Sequence, residues 1–153
     1  MFRFIVTYLG FLKRVPLMAG MFDAFLMIWN MIVNPKINDA IEKIEKEVLT
    51  WKGVHLSAHK FGGLQFNYLT KEIGHIHSNG ILDIPFSRKI KDELIKQGKA
   101  TEHHVFNRSG WVSFYIQSEC DTEQAIRLLE LSYLILLQKS SNISFFVEDL
   151  KMT

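Results

Sequence analysis

The stretch Lys71-Glu72-Ile73-Gly74-His75-Ile76-His77 gathers the chain's most chemically capable side chains. Side chains alternate along a β-strand, so His75 and His77 point to one face, with Ile73 beside them and Glu72 on the other. Asp83 follows a turn sequence, Ser78-Asn79-Gly80, and a hairpin there could bring it to the pair. His103-His104 end or edge a later strand. An imidazole takes or releases a proton near neutral pH, or binds a metal through a neutral nitrogen. Two imidazoles and a carboxylate suit Zn, Fe or Mn. The spacing leaves three readings open: a metal site, a metal-free proton-handling or ligand pocket, and histidines that only hydrogen-bond. No second cysteine or His-x3-His spacing closes a ligand set. No structural metal and no cofactor are therefore expected, with a divalent metal at His75, His77 and Asp83 as the alternative.

The other candidates each carry a plainer reading. Glu72 could be a general acid or pair with a neighbouring cation. Trp111 and Phe114 could line a pocket or fill the core. Arg108, in a Gly-containing turn, could hold an anion or sit in solvent, and so could Lys60 beside Gly62-Gly63. Cys120 is the one cysteine. It excludes an internal disulfide framework, is read as structural, and is compatible with a reducing cytoplasm. A net charge of +2 with no basic stripe argues against nucleic acid. No P-loop, dinucleotide glycine motif or nucleophile elbow is visible.

These residues need a scaffold, and the 153-residue chain, 48% hydrophobic and 22% charged, can bury one core. Ile37, Ile41, Ile44 and Val48 form one apolar stripe of a helix over 36–48, opened by Asn34-Pro35 and braced by a Glu42–Lys46 pair. Alternation predicts strands at Val54–Ala58, Leu64–Tyr68 and about Lys71–His77, with Gly62-Gly63 turning the first pair. Asn79-Gly80 predicts a type I′ turn into a strand ending at Pro85. Ser87 and Gly98 bound a helix at 87–97. Strands are expected over Ala100–Phe106 and Trp111–Gln117, then a helix over 121–138 capped by Asp121 with Gln124. Ile143–Val147 reads as an edge strand or a docked tail. The expected fold is α+β, an antiparallel sheet of about five strands covered by three helices, spanning 34–153.

Residues 1–33 are apolar and helical in pattern, interrupted by Arg3, Lys13, Arg14, Asp23 and Asn30. The charges follow the first apolar run, which is unlike a signal peptide. Asp23 would cost about 2.5–3.5 kcal/mol at a bilayer centre. The segment is expected to pack on the domain or a second copy of the chain, to lie on a membrane surface, or to span one. Cytoplasmic location follows, with membrane association or a homo-oligomer through residues 1–33.

The signature Glu72-Ile73-Gly74-His75-Ile76-His77, then Leu82-Asp83-Ile84-Pro85, Gly98, His103-His104, Trp111-Val112-Ser113-Phe114 and Leu129-Glu130-Leu131-Ser132-Tyr133, resembles the luciferase domain, a family named for the enzyme of fungal bioluminescence. The resemblance covers about Trp51 to Leu137. It is nearest to short bacterial members, which share a Trp-x-Gly-Val opening, His-x-Phe-Gly-Gly (here His59 to Gly63) and Gly-Trp-Val-Ser-Phe (Gly110 to Phe114). The resemblance implies oxidation of a hydroxylated styryl-pyrone by O₂ without a bound cofactor. His75 or His77 would then be the base, and His104 would polarise the oxyanion. Glu72, Asp83, His103, Arg108 and Trp111 would contact the small molecule. Asp83 stands where the fungal enzymes carry another histidine, and Gln117-Ser118-Glu119-Cys120 where they carry Tyr-x-Pro-Arg. Two functions fit: a small-molecule enzyme or binding protein around His75, His77, Asp83 and His104, and a non-catalytic interaction module working through residues 1–33.

Overall fold

A computed structural model describes residues 35–60, 62–103 and 105–151. The expectations for residues 1–33 and for His104 lie outside them. Helix α1 (Pro35–Val48) leads into strands β1 (Val54–Ala58), β2 (Leu64–Tyr68), β3 (Lys71–Ile76) and β4 (Ile81–Pro85). Helix α2 (Arg88–Lys96), strands β5 (Thr101–Glu102) and β6 (Trp111–Tyr115), a 3-10 turn (Glu119–Asp121) and helix α3 (Thr122–Lys151) follow. The six strands form one antiparallel sheet in the order β1-β2-β3-β4-β6-β5. The fold is α+β, as expected, with six strands.

Period-two alternation divides the sheet into two chemical faces. Phe66, Ile76, Leu82, Ile84 and Val112 are buried on one face, together with Ala40, Ile44 and Val48 of α1 and Ala125, Leu128 and Leu129 of α3. Gly74 keeps α3 close: a Cβ there would stand 3.0 Å from Leu129 Cδ2 and 3.0 Å from the Asp83 carbonyl oxygen. The Ser132 hydroxyl donates to the Ile73 carbonyl at 2.8 Å and the Tyr133 hydroxyl to the Lys52 carbonyl at 2.8 Å, tying α3 to β3 and to the turn that precedes β1. The opposite face carries one polar row across all the strands, Ser57–Gln65–His75–Asp83–Ser113–Thr101.

Several local expectations are corrected. Gln65 pairs with His75 and Phe66 with Gly74, but Asn67 pairs with Glu72, so Ile73 is an extra residue, a β-bulge. The bulge turns Glu72 onto the face of His75 rather than the opposite one, and Ile73 into the core. The turn after His77 is not type I′. Gly80 has φ +83°, while Asn79 is not among the described residues with positive φ; the Gly80 N–H donates to the His77 carbonyl at 2.9 Å. That pattern is a three-residue loop closing on a left-handed glycine. The strand expected over Ala100–Phe106 shrinks to Thr101–Glu102, because His103 captures the next backbone N–H groups. The start of α3 is organised upstream of the expected cap. Asp121 Oδ2 accepts from the N–H groups of Gln117 and Ser118, each at 2.9 Å, and caps the 3-10 turn. Ile143–Val147 continue α3 rather than forming a strand. Among the described residues, no helix is long and apolar enough to cross a membrane.

Candidate functional site

Cross-strand pairing places His75 directly opposite Asp83, and Asp83 opposite Ser113. His77 follows His75 by two residues on the same face, and His103 lies two beyond Thr101, the end of the polar row. Asp83 is fully buried, and His75 and His103 are 5% exposed. Asp83 Oδ1 accepts from the Ser113 hydroxyl at 2.5 Å. Asp83 Oδ2 faces the Nε2 atoms of His77 at 3.4 Å, His75 at 3.6 Å and His103 at 3.6 Å. Glu72 Oε1 lies 2.5 Å from His75 Nδ1. His103 is fixed by its loop: its Nδ1 accepts from the N–H groups of Val105 and Phe106, each at 3.0 Å.

Aromatic groups wall this arrangement. Trp111 stands 5.6 Å from the His75 ring and 5.8 Å from that of His103, centroid to centroid. His59, brought in by the β1–β2 turn, stacks on His75 at 3.7 Å with 12° between the planes. That turn closes where Gly62 donates to the His59 carbonyl at 2.9 Å.

The structure therefore brings Glu72, His75, His77, Asp83, His103 and Trp111 together. Arg108 goes elsewhere. It lines a separate cavity beside the start of α2, with Arg88, Lys91 and Ser109, and none of the histidines borders that cavity. Sequence reasoning misses two members of the cluster, His59 and Ser113. Ser113 is accessible to the same alternation argument, since it shares parity with Trp111. His59 needs the tertiary turn.

Burial opposes ionisation of Asp83, but the nearby His77, the Ser113 hydrogen bond and the His103 and His75 imidazoles outweigh it and hold the carboxyl below its usual range. Burial, then the neighbouring His75, push His59 down to about 4; Glu72 opposes them, His77 adds a smaller push, and a Gly62 backbone bond a smaller opposing pull. His59 is therefore a neutral imidazole at pH 7. A histidine whose folded pKa lies below its unfolded value contributes stability that is full above about 6.5 and lost as pH falls towards the folded value. The shift would amount to roughly 3 kcal/mol for a fully buried ring and to about 1 kcal/mol for this half-exposed one. Between pH 7.5 and 4.5, chelator-treated protein should lose about 1 kcal/mol more than His59→Gln in urea denaturation. Parallel pH profiles for the two proteins would remove His59 from the network.

The fold and cluster define an α+β protein whose polar sheet face holds a buried carboxylate among imidazoles. The model of the luciferase domain matches residues 70–132, which include Glu72, His75, His77, Asp83, His103 and Trp111. No curated protein and no solved structure matches the chain.

Proposed function

We propose that this luciferase domain binds a small hydroxylated aromatic or enolic molecule at the Asp83 cluster and ionises its hydroxyl. The observation that carries the reading is the convergence of three imidazole Nε2 atoms on one buried carboxylate oxygen, at 3.4–3.6 Å, beside the Trp111 ring. An ionisable hydroxyl needs a proton acceptor and donors that stabilise the resulting oxyanion, in surroundings that exclude water. His77, 19% exposed, and half-buried His59 are the imidazoles of the cluster that a ligand can reach. Trp111 offers a flat apolar surface to an aromatic ring. Glu72 and Asp83 fix the orientation of the rings behind.

The test uses 7-hydroxycoumarin, whose phenol and phenolate absorb at different wavelengths. Below the probe's own pKa, the full chain should shift the bound probe to its phenolate spectrum, saturably, and quench tryptophan fluorescence. His77→Ala should weaken the effect about tenfold or more, the loss expected for one hydrogen bond to a charged group. No saturable shift, or one untouched by His77→Ala, would sink the reading.

A further inference from the structure

We infer that His75, His77 and Asp83 hold one divalent first-row transition-metal ion, with Glu72 and His103 supporting those ligands from outside. The inference rests on the cluster being the working site, as proposed above, and identifies what would meet the substrate oxygen there.

The hydrogen bonds fix the tautomers. His103 Nδ1 accepts two backbone N–H groups at 3.0 Å, so a neutral His103 carries its proton on Nε2. His103 thus turns an N–H, not a lone pair, towards Asp83 Oδ2 and is not a ligand. His75 is the reverse. Its Nδ1 meets the Glu72 carboxylate at 2.5 Å and must carry the proton, which leaves the Nε2 lone pair facing Asp83 Oδ2 at 3.6 Å. Two lone-pair atoms confront each other across that gap and repel unless a proton or a cation lies between. A proton would leave the contact well beyond the 2.7–3.2 Å range of an N–H···O bond, roughly half an ångström too long. An ion bound at about 2.0–2.2 Å separates tetrahedral ligand atoms by about 3.3–3.6 Å. The His75 and His77 contacts to Asp83 Oδ2, 3.6 and 3.4 Å, fit that edge. Asp83 Oδ2 is buried and makes no hydrogen bond, while Oδ1 is engaged by Ser113. A buried acceptor in that condition calls for an ion or water.

Ring orientation selects the ligands. A metal must lie near the plane of each imidazole it binds. The His75 and His77 rings are perpendicular, 89° apart with centroids at 4.9 Å, so their in-plane lone pairs can meet at one point. Nitrogens of His59, His75 and His77 also lie within 4.8 Å of one another. Yet His59 is stacked nearly parallel on His75, and the lone pairs of two stacked rings cannot meet at one ion. His59 is therefore beside the site as a proton acceptor, and His77 becomes a ligand rather than a base. Glu72 on His75, and Ser113 with His103 on Asp83, are the outer partners that orient metal ligands. Two imidazoles and one carboxylate leave coordination positions for the ionised oxygen of a small molecule, and suit Fe²⁺, Mn²⁺, Co²⁺ or Zn²⁺.

Co²⁺ titration of chelator-treated, full-length protein, with no small molecule added, tests this. One Co²⁺ per chain should bind saturably, with visible d–d absorption that Zn²⁺ abolishes. Asp83→Asn should weaken binding at least about tenfold, and His59→Gln should leave it within about twofold. Imidazole ¹⁵N spectra of the wild-type chain give a readout that needs no variant: Zn²⁺ should move Nε2 of His75 and His77 and leave His103 in its Nε2–H tautomer. Absence of saturable binding would overturn the inference, as would binding that survives Asp83→Asn but vanishes in His59→Gln. If chelator-treated protein binds no Co²⁺ yet still ionises 7-hydroxycoumarin, the ion falls and the small-molecule reading stands. If Co²⁺ binds and the probe does not, the reverse holds.

Discussion

Asp83→Ala is expected to cost the fold about 2–4 kcal/mol, because it leaves a buried donor without its acceptor, at about 1–3 kcal/mol, and opens a cavity at a fully buried position. That donor is the Ser113 hydroxyl, on a fully buried residue. The His103 ring cannot collapse into the space without surrendering the two backbone N–H groups held by Nδ1. Asp83→Asn keeps an oxygen for Ser113 and fills the same volume, so its cost should stay nearer 1 kcal/mol. Urea denaturation in chelator at pH 7.5 compares the two. With a domain's whole stability at about 5–15 kcal/mol, the alanine variant should melt markedly earlier, while asparagine remains cooperative. An alanine variant as stable as the asparagine one would mean that Asp83 is not the hub of this face. The same experiment in saturating Zn²⁺ should widen the gap between wild type and both variants, since a ligand that binds only the native state stabilises it by mass action.

The placement of His75, His77 and Asp83 on one face was legible in the sequence because it needs only parity along a strand and one hairpin. Glu72 was not, for a related reason. One extra residue reverses parity, and nothing in Glu72-Ile73-Gly74-His75 announces a bulge until α3 is seen packed against Gly74 and bonded through Ser132 to the Ile73 carbonyl. His59 illustrates a second limit: its stacking on His75 joins residues of two different hairpins and has no local pattern. The shortened β5 follows from competition, since a histidine side chain takes the N–H groups of Val105 and Phe106 that a longer strand would have used. The helices were legible from their apolar spacing, as in Ile37, Ile44 and Val48, all buried on one side of α1. The tail at 143–147 misled because a short apolar run fits a strand and a helix equally.

Two glycines should respond very differently to alanine, and the difference isolates the joint that presents Trp111 to the cluster. Gly98, just past the end of α2, has φ +67°, and a Cβ there would meet nothing within 4 Å, so Gly98→Ala pays only for a left-handed backbone, about 1 kcal/mol. At Gly110 a Cβ would stand 1.9 Å from the Phe86 carbonyl oxygen and 2.8 Å from its carbon. Both are backbone atoms, so no rotamer change can relieve the clash. The Phe86 N–H donates to the Gly110 carbonyl at 3.2 Å, and Trp111 next pairs with Pro85, so the two strands would have to part where β6 begins. Gly110→Ala should therefore cost about 3 kcal/mol or more, beyond the usual penalty of overpacking because the obstruction is main chain. It should also displace Trp111 from the His75 and His103 rings, which its fluorescence would report. Equal losses for the two alanine variants, or an unchanged Trp111 environment in Gly110→Ala, would show that the β4–β6 joint yields more readily than its close packing implies.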